Sequence, residues 1–196
     1  MAAKLNLKMI QGSTFTQVFR WESSLKVYVP ITNITKAAPV VITAAGHGLA
    51  VGWRTKITNV AGMTQINSSE NYHIVTDKTT DTVTINALNT LAYSAYTSGG
   101  VLEYNQPVSL SGATARMQIR PKLSSTTILE ELTTEDGDIV LDDTEHTITL
   151  QLSATKTAGF TFNFAVYSLE IIKGVNVDQL ISGNLSLEKE VTRPNT

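Results

Sequence analysis

Thr114-Ala115-Arg116-Met117-Gln118-Ile119-Arg120 sets Ala115, Met117 and Ile119 on one side of the chain and Thr114, Arg116, Gln118 and Arg120 on the other. A period of two is what a strand needs when one face meets a core and the other meets water. Pro121, which has no N–H to give to a ladder, ends the run. Thr147-Ile148-Thr149-Leu150-Gln151-Leu152 repeats the pattern, so two half-buried strands are predicted. Between them, residues 126–132 predict a short strand. Glu135-Asp136-Gly137-Asp138 is a turn into Ile139-Val140-Leu141, and Asp142-Asp143-Thr144-Glu145 closes the next hairpin.

Further along, residues 153–159 have helical character, with Ser153 as a cap and Gly159 as a stop, but the stretch is long enough only for a connector. Phe160, Phe162 and Phe164 are then expected on one side and Thr161, Asn163 and Ala165 on the other, leading through Val166-Tyr167-Ser168-Leu169-Glu170-Ile171 into the core strand. A turn at Lys173-Gly174-Val175-Asn176 returns the chain through Leu180-Ile181 and Leu185-Ser186-Leu187 to Val191-Thr192-Arg193 and a polar tail, whose C-terminal residues are expected to fray. In the other direction, Leu5 to Trp21 alternates around Gln11-Gly12-Ser13. Two strands alone are marginal, so their partners must lie far along the chain.

From Ile31 to about Gln106 the texture changes to Gly, Ala, Ser, Thr and Asn, with short apolar runs such as Val40-Val41-Ile42 and Val83-Thr84-Ile85 between turns. The simplest organisation is an all-β fold: an antiparallel, Ig-like β-sandwich of residues 1–30 and 107–196, interrupted by a small β-barrel of residues 31–106. A long insertion in a surface loop costs little.

Composition narrows the function. The chain has 196 residues, 42% of them hydrophobic, so it can bury a core. Fifteen basic against seventeen acidic residues give a net charge of -2, which supplies no overall positive field for nucleic acid or an anionic membrane. Cysteine is absent, which removes disulfides, thiolate nucleophiles and cysteine-bound zinc. No apolar run approaches the roughly 20 residues that span a bilayer, and the start of the chain lacks the apolar stretch of a signal peptide. A cytosolic product is expected.

Candidate chemistry is sparse. His47, His73 and His146 share no metal-ligand spacing, and His47, between two glycines, is read as a turn histidine. Asp136, Asp138, Asp142, Asp143 and Glu145 lack the ligand order of a calcium loop and are read as solvated turns. Gly46-His47-Gly48 and Ser98-Gly99-Gly100 open no helix and precede no Lys-Ser or Lys-Thr, so no phosphate cradle is expected. At 7% aromatic, the chain is poor in sugar platforms, and Trp21 and Trp53 are expected to pack under strands. No catalytic, cofactor-binding or metal-binding residue is assigned, and the protein is not expected to be an enzyme. Arg116 and Arg120, on one strand face, are the candidate interface residues, able to clamp a carboxylate of a partner or of this chain.

The segments outside the insertion, taken in order, resemble a sandwich domain of tailed-bacteriophage structural proteins. The resemblance rests on Gln11-Gly12-Ser13-Thr14-Phe15 with Trp21, Leu110 to Arg120, Ile148 to Ala154, Val166 to Ile171, and Gly183-Asn184-Leu185-Ser186-Leu187 before Glu190-Val191-Thr192-Arg193. Ser168 stands where similar genes often have Asp, so no carboxylate role is carried over to that position. The insertion resembles a module akin to the first catalytic-cysteine half-domain of ubiquitin-activating enzymes, found in phage tail proteins. It matches at Ala45-Gly46-His47-Gly48-Leu49, Gly52, Val60 to Asn67, Tyr72 to Val75 and Ala95 to Gly100. Without cysteine, no ubiquitin chemistry is implied.

The resemblance implies a virion structural protein, assembled in the host cytoplasm as a multi-copy part of the tail, baseplate or neck. Its partners would be other virion proteins and further copies of itself in a homo-oligomer or symmetric ring, with no nucleic acid, no membrane and no cofactor. A capsid decoration protein is the first alternative, and a host-glycan-binding module the second.

Overall fold

A computed structural model describes residues 2–68 and 70–191; the polar tail after Arg193, expected to fray, lies outside them. Along the chain run β1 (Ala3–Lys4), β2 (Leu7–Ile10), β3 (Phe15–Phe19), β4 (Glu22–Pro30), β5 (Asn33–Ile34) and β6 (Val40–Thr43). There follow β7 (Arg54–Ala61), β8 (His73–Ile74), β9 (Asp77–Lys78), β10 (Thr82–Ile85) and β11 (Ser98–Pro107). The last group is β12 (Thr114–Arg120), β13 (Glu130–Thr133), β14 (Ile139–Asp142), β15 (Thr147–Leu152), the short helix α1 (Ala154–Ala158), β16 (Phe164–Lys173) and β17 (Asn176–Glu188). With 51% strand and 4% helix, the fold class is all-β.

The chain forms two compact units, residues 1–21 with 109–196, and residues 22–108. Residues 22–30, assigned by sequence texture to the sandwich, lie in the second unit. The reason is pairing: β4 runs antiparallel along β11, with Val29 opposite Leu102 and Val27 opposite Tyr104, and Val27 and Val29 pack on that unit's core. Alternation marks a strand but not the core it faces.

In the first unit, a sheet ordered β1-β17-β16-β12-β13, with β2 also on β17, faces a second sheet ordered β14-β15-β3. Ala115, Met117 and Ile119 of β12 and Ala165, Tyr167, Leu169 and Ile171 of β16 point inward and meet Ile139, Ile148, Leu150 and Leu152 in one buried cluster. The long-range partners required by the N-terminal strands are β17, paired parallel to β1 and β2, and β15, paired antiparallel to β3. Gln11 and Ser13 anchor the turn between β2 and β3: Gln11 Nε2 donates to the carbonyl of Phe160 at 2.8 Å, and the buried Thr157 hydroxyl of α1 donates to that of Ser13 at 2.7 Å. Ser153 caps α1 by accepting from the Lys156 N–H at 3.1 Å, as its sequence predicts.

Two local expectations fail. The strand predicted over 126–132 is confined to Glu130–Thr133, because Ser125 holds the preceding residues in a turn through Thr127 N–H and Lys122 C=O. The three phenylalanines do not share a face: Phe160 is buried and stacks on Phe162 with centroids 5.4 Å apart, whereas Phe164 is 80% exposed. β16 starts only at Phe164, so the spacing of Phe160 and Phe162 carries no strand parity.

The second unit consists of two open sheets, β5-β6-β10-β9 and β4-β11-β7-β8, rather than the closed barrel expected. Two stretches turn from one sheet to the other. Ile31 N–H bonds to Gly100 and Thr32 N–H to Thr43, while Val75 N–H bonds to Trp53 and Thr76 N–H to Thr84. These corners give a barrel-like sandwich. Trp53, Ile42, Ile57, Met63, Ile85 and Leu102 fill it.

Candidate docking face

β12 and β16 lie at the middle of the six-stranded sheet, so their outward residues belong to rows crossing several strands. One row reads Thr133, Arg116, Glu170, Gln179; the next Glu131, Gln118, Ser168, Ser182, Lys4; the next Arg120, Val166, Asn184. Arg116 and Arg120 therefore share a face, and their environments differ. Arg116 Nη2 donates to Glu170 Oε2 at 2.9 Å, a cross-strand ion pair. Arg120 donates from Nη2 to Gln118 Oε1 and from Nη1 to the Ser125 carbonyl, each at 2.7 Å. Both of those acceptors are neutral.

Lys4 reaches the same face because of a close approach at the sheet edge. β1 pairs with Ile181 and Ser182, β2 resumes at Leu185, and the chain between them passes over Gly183, where a Cβ would lie 1.8 Å from the Leu5 carbonyl oxygen. The buried Tyr167 hydroxyl donates to that oxygen at 2.8 Å, and Asn6 Oδ1 accepts from the Asn184 N–H at 3.1 Å. Burial pushes the Tyr167 phenol up to about 12. Lys4 Nζ donates to Ser182 Oγ at 2.8 Å, again a neutral partner.

Lys4, Arg120, Gln118, Ser168 and Asn184 line a groove of about 540 Å³ beside Leu123, which is 92% exposed. A second groove of about 480 Å³ shares Asn6, Val166 and Asn184 with it and extends to Pro121 and Phe164. Among the described residues, the first groove is lined by cations, amides, hydroxyls and aliphatic or phenolic groups, with no carboxylate and no imidazole. Ser168 is one of its lining residues and adds a hydroxyl. Such a lining can bind by hydrogen bonding and charge; it holds no paired nucleophile and base.

The remaining candidates fill other roles. Gly46 and Gly48, both with positive φ, turn the chain so that His47 is buried, with Nε2 3.0 and 3.1 Å from the carbonyls of Thr79 and Thr82. Its Nδ1 accepts from the Leu49 N–H at 3.0 Å, so the proton sits on Nε2 and is shared by the two carbonyls. The imidazole thus clips one turn to another. Burial lowers the pKa of His73. In the acidic turns, Asp138 is held by Lys156, Asp142 caps Thr144 and Glu145, and Asp143 accepts from Leu110 N–H at 2.5 Å, which holds its carboxyl below the ordinary range. Among the described residues no cluster of three metal-ligating side chains occurs.

On the outer face of β4-β11-β7-β8, the Tyr72 ring lies 4.7 Å from Arg54 Cζ, 4.9 Å from Lys56 Nζ and 5.6 Å from Lys26 Nζ. Arg54 forks onto Glu22 at 2.6 to 3.1 Å, and Lys26 meets Glu103 at 3.2 Å. The hydrogen bond to Glu22 raises the pKa of Arg54; Lys26 is raised first by its hydrogen bond to Tyr72. Lys4, Leu123 and Tyr72 carry no local sequence signal, since each depends on a partner distant along the chain. Compared with known proteins, the sequence matches no protein family and no curated protein.

Proposed function

We propose that this chain is a non-enzymatic structural protein of a tailed-phage particle, a multi-copy component of the tail, baseplate or neck that works by protein–protein docking. The observation that supports it is the outer face of the six-stranded sheet, where a groove rich in hydrogen-bonding groups adjoins Leu123 and Phe164, 92% and 80% exposed. Large apolar side chains at the border of a polar face are suited to burial against a partner. The resemblance of the ordered sandwich segments to a domain of tailed-phage structural proteins supports the assignment to such a particle.

Imaging purified phage particles that carry this gene, with mass spectrometry to establish the chain's presence, tests the reading. Density for the chain in the tail, baseplate or neck is the expected result. Density on the capsid shell would replace it with the decoration role, and absence from particles would overturn both.

A further inference from the structure

The six-stranded sheet carries opposite charges at its two ends that have no opposite partner among the described residues. At one end, Lys4 and Arg120 bond, among the described residues, to Ser182 Oγ, Gln118 Oε1 and the Ser125 carbonyl. Leu123 and Phe164 stand exposed beside them. At the other end, Thr134 N–H bonds to the Ala115 carbonyl, which places the turn after β13 at the start of β12. There Glu135 and Asp136 are exposed, and their carboxylates accept from the hydroxyls of Thr134 and Thr133 at 3.1 and 2.9 Å. The β16–β17 hairpin at that end exposes Val175 and Val177.

Ala115 and Arg120 are five residues apart on one strand, about 17 Å at the rise of a β-strand. Direct ion pairing needs roughly 4 Å, so the acidic turn and the basic groove of one copy cannot satisfy each other. Arg116 and Glu170, midway along the face, already do.

We propose that copies of this chain associate head to tail, the Glu135–Asp136 turn of one copy entering the Lys4–Arg120 groove of the next, with Val175 and Val177 against Leu123 and Phe164. This rests on the reading of the chain as a multi-copy component and names the surface that would join the copies. Such a contact is heterologous: it repeats, and it closes into a ring when the rotation per copy allows. Each exposed ion pair is weak, and repetition around a ring makes the contact stable.

Sedimentation of the full chain over roughly 1 µM to 1 mM tests it. The wild-type chain is expected to self-associate at low salt, with affinity falling about tenfold or more near 0.5 M salt. A K4E/R120E variant and an E135K/D136K variant are each expected to stay monomeric, and an equimolar mixture of the two to regain association. Arg120 also holds the Ser125 carbonyl, so K4E alone serves as the groove variant if the double variant does not fold by circular dichroism.

A wild-type chain that stays monomeric, an E135K/D136K variant that associates like wild type, or a mixture that does not recover would overturn the contact. In particle images, copies touching through other surfaces would overturn this contact and leave the structural role standing. Absence from particles would overturn the role and leave the solution contact standing.

Discussion

The outer faces of the two large sheets begin from the same alternation and end differently. In the second unit, Lys26, Arg54 and Lys56 gather over Tyr72 while Glu22 and Glu103 pair with two of them, and Asn105 Nδ2 donates to Glu22 Oε2 at 3.0 Å. Charge there is answered within the face. In the first unit Arg116 with Glu170 answers the middle and Lys8 with Glu188 the β2–β17 edge, while Lys4, Arg120, Glu135 and Asp136 bond to neutral groups. A face that closes on itself stiffens its own sheet. A face with charges left at its ends has capacity for a partner.

The largest effect should come from removing Lys4 from that face without touching a charge. In Gly183→Ala, a methyl would have to occupy the space of the Leu5 carbonyl, so β1 must lift from β17 and the hydrogen bond from Tyr167 is lost. Overpacking of this kind costs about 2–3 kcal/mol. Urea denaturation should show that loss, and sedimentation of the folded variant should show self-association weakened as in K4E. Unchanged stability would mean that the N-terminal strands are not seated over Gly183.

Tyr72→Ala probes the other face. It removes the ring under three cations and the Oη that accepts from Lys26 Nζ at 3.0 Å, while leaving both carboxylate pairs in place. At exposed sites such contacts are worth about 0.5–1 kcal/mol each and are not fully additive, so a loss of about 1–2 kcal/mol is expected. Thermal unfolding measures it. Self-association should be untouched; a variant that fails to associate would show that the second unit's face also takes part.

These contrasts explain what was readable in advance. Strands with strict alternation, such as residues 114–120 and 147–152, were legible because burial of one face is a local property of the pattern. So was the histidine turn, since glycines on both sides of His47 predict a sharp bend. The allegiance of residues 22–30 was not, because Val27 and Val29 would alternate identically against either core. Closure of the insertion was not legible either: it depends on the corners near Ile31 and Val75, where the chain changes sheets. Of the candidate site, Arg116 and Arg120 were placed correctly on one face, but only the cross-strand register separates them. Glu170 stands opposite Arg116, and Val166 opposite Arg120.

That separation makes Arg116→Ala the smallest and sharpest test. The Arg116 side chain is 45% and that of Glu170 29% exposed, so their attraction is screened by water and is offset by the entropy of holding both side chains. Cross-strand pairs of opposite charge contribute about 0.2–1 kcal/mol, and the loss here should fall at the lower end, within a few tenths of a kcal/mol in chemical denaturation. Removing Arg116 leaves the charges at both ends of the sheet in place, so sedimentation should match the wild-type chain while K4E differs. If Arg116→Ala instead abolished self-association as K4E/R120E is expected to, the middle of the face would be the contact. The contrast between an answered Arg116 and the unanswered Lys4, Arg120, Glu135 and Asp136 would then fail.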